Sequence, residues 1–113
     1  MCSQSVLNEI TSKVVAAAKE SLGDKLDKVI LYGSYARGDY DGESDIDIMV
    51  LADVPHEDCW NEYLKISELS WGLDLEYDVL ISINVTDSLT FNRYKEVLPF
   101  YINITNEGVT LVA

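Results

Sequence analysis

Hydrophobic positions along this chain recur at two periods, and the switches between them divide it into elements. From Ser5 to about residue 22, Val6, Ile10, Val14, Ala17 and Ala18 return at helical spacing, with Ser5 placed to cap and Gly23 to stop. Val29 to Gly33 is a short apolar run that reads as a buried strand. It ends in Gly33-Ser34-Tyr35-Ala36-Arg37-Gly38, a glycine-bounded turn able to open a brief helix. Over residues 45–52 the period becomes two: Ile46, Ile48, Val50 and Ala52 are apolar, while the odd positions begin with Asp45 and Asp47. Strand geometry puts both carboxylates on one face and the aliphatic residues on the other.

Pro55, followed by Glu57 and Asp58, suits the first turn of a helix that should run to about Trp71 and stop at Gly72. Leu73, Leu75, Tyr77, Val79, Ile81 and Ile83 then alternate with Asp74, Glu76, Asp78, Leu80, Ser82 and Asn84, which predicts one long strand with an acidic face. Helical spacing returns from Thr90 to Asn106 with a break near Pro99. Gly108 stops it, and Val109 to Val112 reads as a small edge strand. The sum is an α+β fold, a mixed sheet with helices packed mainly on one face.

Length and composition narrow the function. The 113 residues fit one domain spanning 1–113, and 48% hydrophobic with 25% charged residues is globular composition. Twenty acidic side chains against 8 cationic ones leave a charge of −12, and only Arg37 and Arg93 are arginines. Such a surface repels phosphate backbones, which excludes non-specific nucleic-acid binding. No apolar run approaches the ~18–20 residues of a membrane span. With no visible signal peptide and with two cysteines, Cys2 and Cys59, too far apart for a disulfide framework or zinc knuckle, a reduced cytoplasmic protein is expected. The sequons at Asn84 and Asn103 are then accidental.

The chemistry concentrates in residues 33–47. A Walker loop would need Lys and Ser or Thr after the second glycine, but Asp39 and Tyr40 follow Gly38. An EF-hand beginning at Asp39 would need glycine and glutamate where Ser44 and Val50 stand. What remains is a phosphate cradle beside a metal site. Gly33 allows close backbone approach and Ser34 adds a hydroxyl at the head of a helical turn. Asp45 and Asp47 project from one strand face roughly 6.5 Å apart. Hard oxygen donors at that spacing suit Mg²⁺, and a third acid would allow a two-ion clamp for in-line phosphoryl displacement. Asp78 is the candidate third acid, with Asp74 and Glu76 sharing its predicted face. His56 reads as a surface residue at a helix start, and Cys59 as a small buried hydrophobe. Trp60, Tyr63, Leu64 and Trp71 read as core or interface, and Asp39, Asp41 and Glu43 as a solvated acidic loop.

Gly33-Ser34, then Ala36-Arg37-Gly38, then Ser44-Asp45-Ile46-Asp47 resembles the signature of the polymerase-beta-like nucleotidyltransferase superfamily, in particular its minimal single-domain branch (MNT) paired with HEPN toxins. The likeness continues through Asp74-Leu75-Glu76-Tyr77-Asp78-Val79-Leu80 and the tail from Tyr94 to Val109, covering most of the chain from Val29 onward. The resemblance implies a nucleoside triphosphate held with two Mg²⁺ ions and transfer of a nucleoside monophosphate, AMP from ATP, to a hydroxyl. By position it makes Gly33, Ser34 and Arg37 nucleotide-binding residues, and Asp45, Asp47 and Asp78 the catalytic and metal-ligating carboxylates. Asp39 and Tyr40 depart from the small or basic residues common there. The branch implies a toxin protein as acceptor and partner, modified on a tyrosine. Two rival readings stand beside it: an inactive antitoxin acting by stoichiometric contact, and a small-molecule nucleotidyltransferase working as a homo-oligomer.

Overall fold

The structure, a computed structural model, describes residues 3–41 and 44–112; Cys2 and Glu43 lie outside the described residues. Helix α1 (Gln4–Leu22) is capped by Ser3, two residues ahead of the expected Ser5, whose hydroxyl accepts the Val6 amide N–H at 3.2 Å. Ile10, Val14, Ala17 and Ala18 of the predicted stripe are buried together with Leu7, Thr11 and Leu22, Val6 is only half-buried, and Gly23 ends the helix at positive φ. Strand β1 (Leu26–Tyr32) leads into the four-residue helix α2 (Ser34–Arg37) and then strand β2 (Ile46–Ala52). A 3₁₀ turn (His56–Asp58) introduces helix α3 (Cys59–Leu69), which the short helix α4 (Leu73–Tyr77) follows. Strand β3 (Ile81–Asp87), helices α5 (Ser88–Tyr94) and α6 (Pro99–Glu107), and strand β4 (Val109–Val112) complete the chain.

The sheet order is β3-β2-β1-β4. β1 is antiparallel to both β2 and β4, whereas β2 and β3 run parallel, Ile46 level with Ile81 and Ala52 with Asp87. Central β2 is buried along its length except at Asp47, which is half-buried. Its even residues join Val29 and Leu31 of β1 in the larger core beneath α1 and α3. Its odd residues Met49 and Leu51 join Ile30, Phe91 and Ile104 under α5 and α6. Helices thus lie on both faces, the majority on the even face. The odd face is covered only at its far end, and the end carrying Asp47 is left to the site.

The segment from Leu73 to Asn84 is not one strand. Leu73 to Tyr77 is helical, Asp78 follows in the left-handed region at φ 53°, and pairing with β2 begins at Ile81 and extends to Asp87. A five-residue helix explains the misleading alternation, because Leu73 and Tyr77 are four apart and share one face at period 2 and at period 3.6 alike. Leu75 separates the two geometries: a strand would bury it with its neighbours, and it is 82% exposed. The acidic face is dispersed with the strand. Glu76 lies 3.7 Å from Lys13 of α1, Asp74 accepts the Ile81 amide, and Asp78 is exposed. The aromatic residues of the crossover are not core either: Trp60 stacks on Tyr63 at 5.2 Å but is 65% exposed, and Trp71 is mostly exposed.

Candidate active site

The site is assembled where β1 ends, α2 begins and β2 starts. Gly33 sits between Tyr32 and Ser34 at φ 75°, a conformation that L side chains rarely adopt. A second constraint is steric. A Cβ here would fall on the Asp47 Oδ2 atom and lie 3.3 Å from its Cγ. The glycine is therefore needed for its turn and for the space it cedes to the carboxylate. The Gly33 carbonyl accepts the Ala36 and Arg37 amides, both at 3.1 Å, which starts α2 directly from this contact. Gly38, at φ 86°, closes the four-residue helix. Asp39 and Tyr40 each find a local role: Asp39 accepts from Arg37 Nε at 3.1 Å, and Tyr40 stacks on buried Tyr35 with centroids 4.3 Å apart.

Asp45 stands immediately before β2 and Asp47 two residues on, both half-buried. Burial raises the Asp47 pKa above the ordinary carboxylate value, the Asp45 charge raises it further, and the Arg37 charge partly opposes them. Among the described residues no hydrogen bond contributes to that balance. Next to Asp47 across the sheet lie Tyr32 on β1 and Ser82 on β3. Burial and then the Asp47 charge raise the Tyr32 pKa in turn. Arg37, the expected phosphate contact, is paired with Asp39 and, at 3.3 Å, with Glu107 of α6.

The structure therefore brings together Gly33, Asp45, Asp47 and Arg37, with Ser34 next in the chain. Asp78 is placed differently. It precedes β3 by three residues, and the charges acting on Asp47 are Asp45 and Arg37, without Asp78. The β3 residue level with Asp47 is Ser82. Sequence reasoning missed Tyr32, Ser82 and Glu107. Tyr32 shares the parity of Ile30, opposite Val29 and Leu31, so its face was readable once β1 was extended by its true length. Glu107 is seventy residues from Arg37 and left no local signal.

Beside the pair, a cavity of about 500 Å³ is lined by Tyr32, Ser82 and Asn84 toward the carboxylates and by His56, Cys59 and Trp60 toward α3. A mixed sheet presenting two carboxylates from its central strand, next to a glycine turn, defines the class of nucleotide-transferring α+β enzymes. The comparisons are specific: the chain belongs to the nucleotidyltransferase domain family, which matches residues 12–111. It is similar to two Methanocaldococcus jannaschii proteins that carry the provisional name protein adenylyltransferase. One is 52% identical over 61 residues, 54% of this chain and 60% of that protein; the other is 38% identical over 97 residues, 86% and 89%. A crystal structure of a provisionally named nucleotidyltransferase from Sulfolobus solfataricus shares the fold at TM-score 0.61 and 21% identity, covering 96% of this chain and 87% of that one. A toxin-antitoxin crystallised with AMP-PNP does so at TM-score 0.51 and 22% identity, covering 88% and 70%.

Proposed function

We propose that the chain is a Mg²⁺-dependent protein adenylyltransferase that moves AMP from ATP onto a hydroxyl of a partner protein, a HEPN-type toxin, in the cytoplasm. The observation that carries the reading is the Asp45–Asp47 pair with Asp47 packed against Gly33: two hard oxygen donors, mutually repelling, with no hydrogen bond from the described residues to the Asp47 side chain to relieve the charge. That donor set fits Mg²⁺, and Asp45 and Asp47 would hold it; Asp78, which the fold sets apart from the pair, would have to close on the ion to serve as the third carboxylate. Bound there, Mg²⁺ supplies charge neutralisation of the triphosphate and of the oxygens entering and leaving the α-phosphorus. The transfer itself balances simply. The acceptor oxygen bonds to the α-phosphorus, the bond to the β-bridging oxygen breaks, pyrophosphate leaves, and a carboxylate of the site takes the hydroxyl proton.

In this reading Gly33 and Ser34 sit against the β- and γ-phosphates, and Arg37 must leave Asp39 or Glu107 to reach them. The relatives' name supports AMP and a protein acceptor. Exposed Trp60, Leu64, Trp71 and Leu75 on one crossover offer apolar surface to a partner. The test is incubation with Mg²⁺, α-labelled ATP and lysate from the source organism, with Asp47→Asn alongside. Label on a protein band only with the unmodified chain supports the reading and identifies the acceptor. Label on a small molecule points to the small-molecule transferase, and no label from any NTP, with a partner still recovered, to the stoichiometric antitoxin.

A further inference from the structure

At the opposite end of β2 and β3 from the carboxylate pair, three side chains of different chemistry converge. Asp87 ends β3 level with Ala52, five residues beyond the level of Asp47 and Ser82, or roughly 16 Å away along the strands. His56 opens the 3₁₀ turn, and Cys59 opens α3. Their ligating atoms all lie within 4.8 Å of one another, with His56 Nδ1 3.0 Å from Asp87 Oδ1. Cys59 and Asp87 are buried, while His56 closes the group from outside.

We propose that His56, Cys59 and Asp87 bind a divalent transition metal ion of the zinc class, with a fourth coordination position open to the cavity. The donor set is one imidazole nitrogen, one sulfur and one carboxylate oxygen, the mixture that favours Zn²⁺ over the oxygen-seeking Mg²⁺. A tetrahedral ion with bonds of about 2.0–2.3 Å holds its donors roughly 3.3–3.8 Å apart, so this group reaches it with shifts of about an ångström. Three protein ligands leave one position vacant for water or an incoming donor, and both His56 and Cys59 line the cavity.

The geometry around Asp87 points the same way. Its Oδ2 accepts the Thr90 amide N–H at 2.9 Å, so the cap of α5 fixes the carboxylate while Oδ1 faces His56. This site is separate from the proposed Mg²⁺ pair in place and in donor chemistry.

The test titrates the untagged full chain with Co²⁺ and with Zn²⁺. One equivalent of Co²⁺ should give a thiolate charge-transfer band with the visible bands of a four-coordinate ion, and Zn²⁺ should displace it. Cys59→Ser should abolish the charge-transfer band, and His56→Ala, at an 81% exposed side chain, should weaken binding roughly tenfold or more. Cys2→Ser and Asp47→Asn should leave both unchanged. No band at one equivalent, a band that survives Cys59→Ser, or one that disappears with Cys2 or Asp47 would overturn the proposal.

Discussion

Replacing Asp47 by Asn should make the metal-free protein more stable, the reverse of the usual result for a substitution in a well-packed strand. Two like charges about 6.5 Å apart repel by about 2.5 kcal/mol at an effective dielectric of about 20. Arg37 offsets part of this, and solvent around the half-buried groups screens more, which leaves about 0.5–1 kcal/mol. For a domain of this size that is a rise in Tm of about 2–4 °C. The pH dependence has a definite sign. The fold raises the Asp47 pKa above its ordinary 3.8, so ionisation costs the native state. The cost is absent below the unfolded value and develops as pH rises through the native one. Asp47→Asn should accordingly gain nothing near pH 3 and the full increment at neutral pH. The assay is thermal unfolding in EDTA from pH 3 to pH 8, repeated with Mg²⁺ in excess. With Mg²⁺ the order should invert, because only the unmodified chain gains by mass action, by about 2.7 kcal/mol at a hundredfold excess over Kd. A lower Tm for the variant in EDTA at neutral pH, or an equal gain from Mg²⁺, would refute the view of Asp47 as a strained metal ligand.

Gly33→Ala should destabilise the chain by about 1–3 kcal/mol, from positive φ and the overlap with Asp47, and abolish transfer; urea unfolding and the label assay measure the two effects. Asp78→Asn should reduce transfer as severely as Asp47→Asn if it is the third carboxylate, while leaving Tm in EDTA unchanged, since it lacks the Asp47 environment. Asp87→Asn should cost about 1–2 kcal/mol at neutral pH by weakening the α5 cap and the His56 contact. Because the folded Asp87 pKa lies below its ordinary value, that loss should shrink as pH falls through it, which denaturant titrations at several pH values would show. Transfer itself should decline in acid as Asp47 takes up its proton at a raised pKa, a profile that a pH series of initial rates would trace.

What could be read from the chain depended on whether one residue sufficed to mark a choice. β2 was legible because its alternation is enforced on both sides, the even residues by α1 and α3 and the odd ones by Met49 and Leu51 under α5 and α6. Gly33 was legible because a positive φ beside a carboxylate leaves few alternatives to glycine. Residues 73–84 were not, since a five-residue helix is too short for its period to separate from that of a strand. Asp78 itself marks the break, an aspartate tolerated in the left-handed region where most side chains are not. The His56 partner Asp87 and the second Arg37 partner Glu107 lie 31 and 70 residues away, and contacts of that separation leave no periodic trace.

The position of the carboxylate pair on β2 also determines when it can be lost. Hydrogen-bonded neighbours flank this strand on both sides and hydrophobic layers cover it, so its amides should be among the last to exchange with deuterium. Local fluctuation can open an edge strand or a short helix without disturbing a central one. Asp47 therefore keeps its place until the whole domain unfolds, whereas Asp45 stands one residue outside the paired strand. Of the two acids, Asp47 is anchored by the ladder on both sides, and any adjustment of the site to its ligand falls first to Asp45.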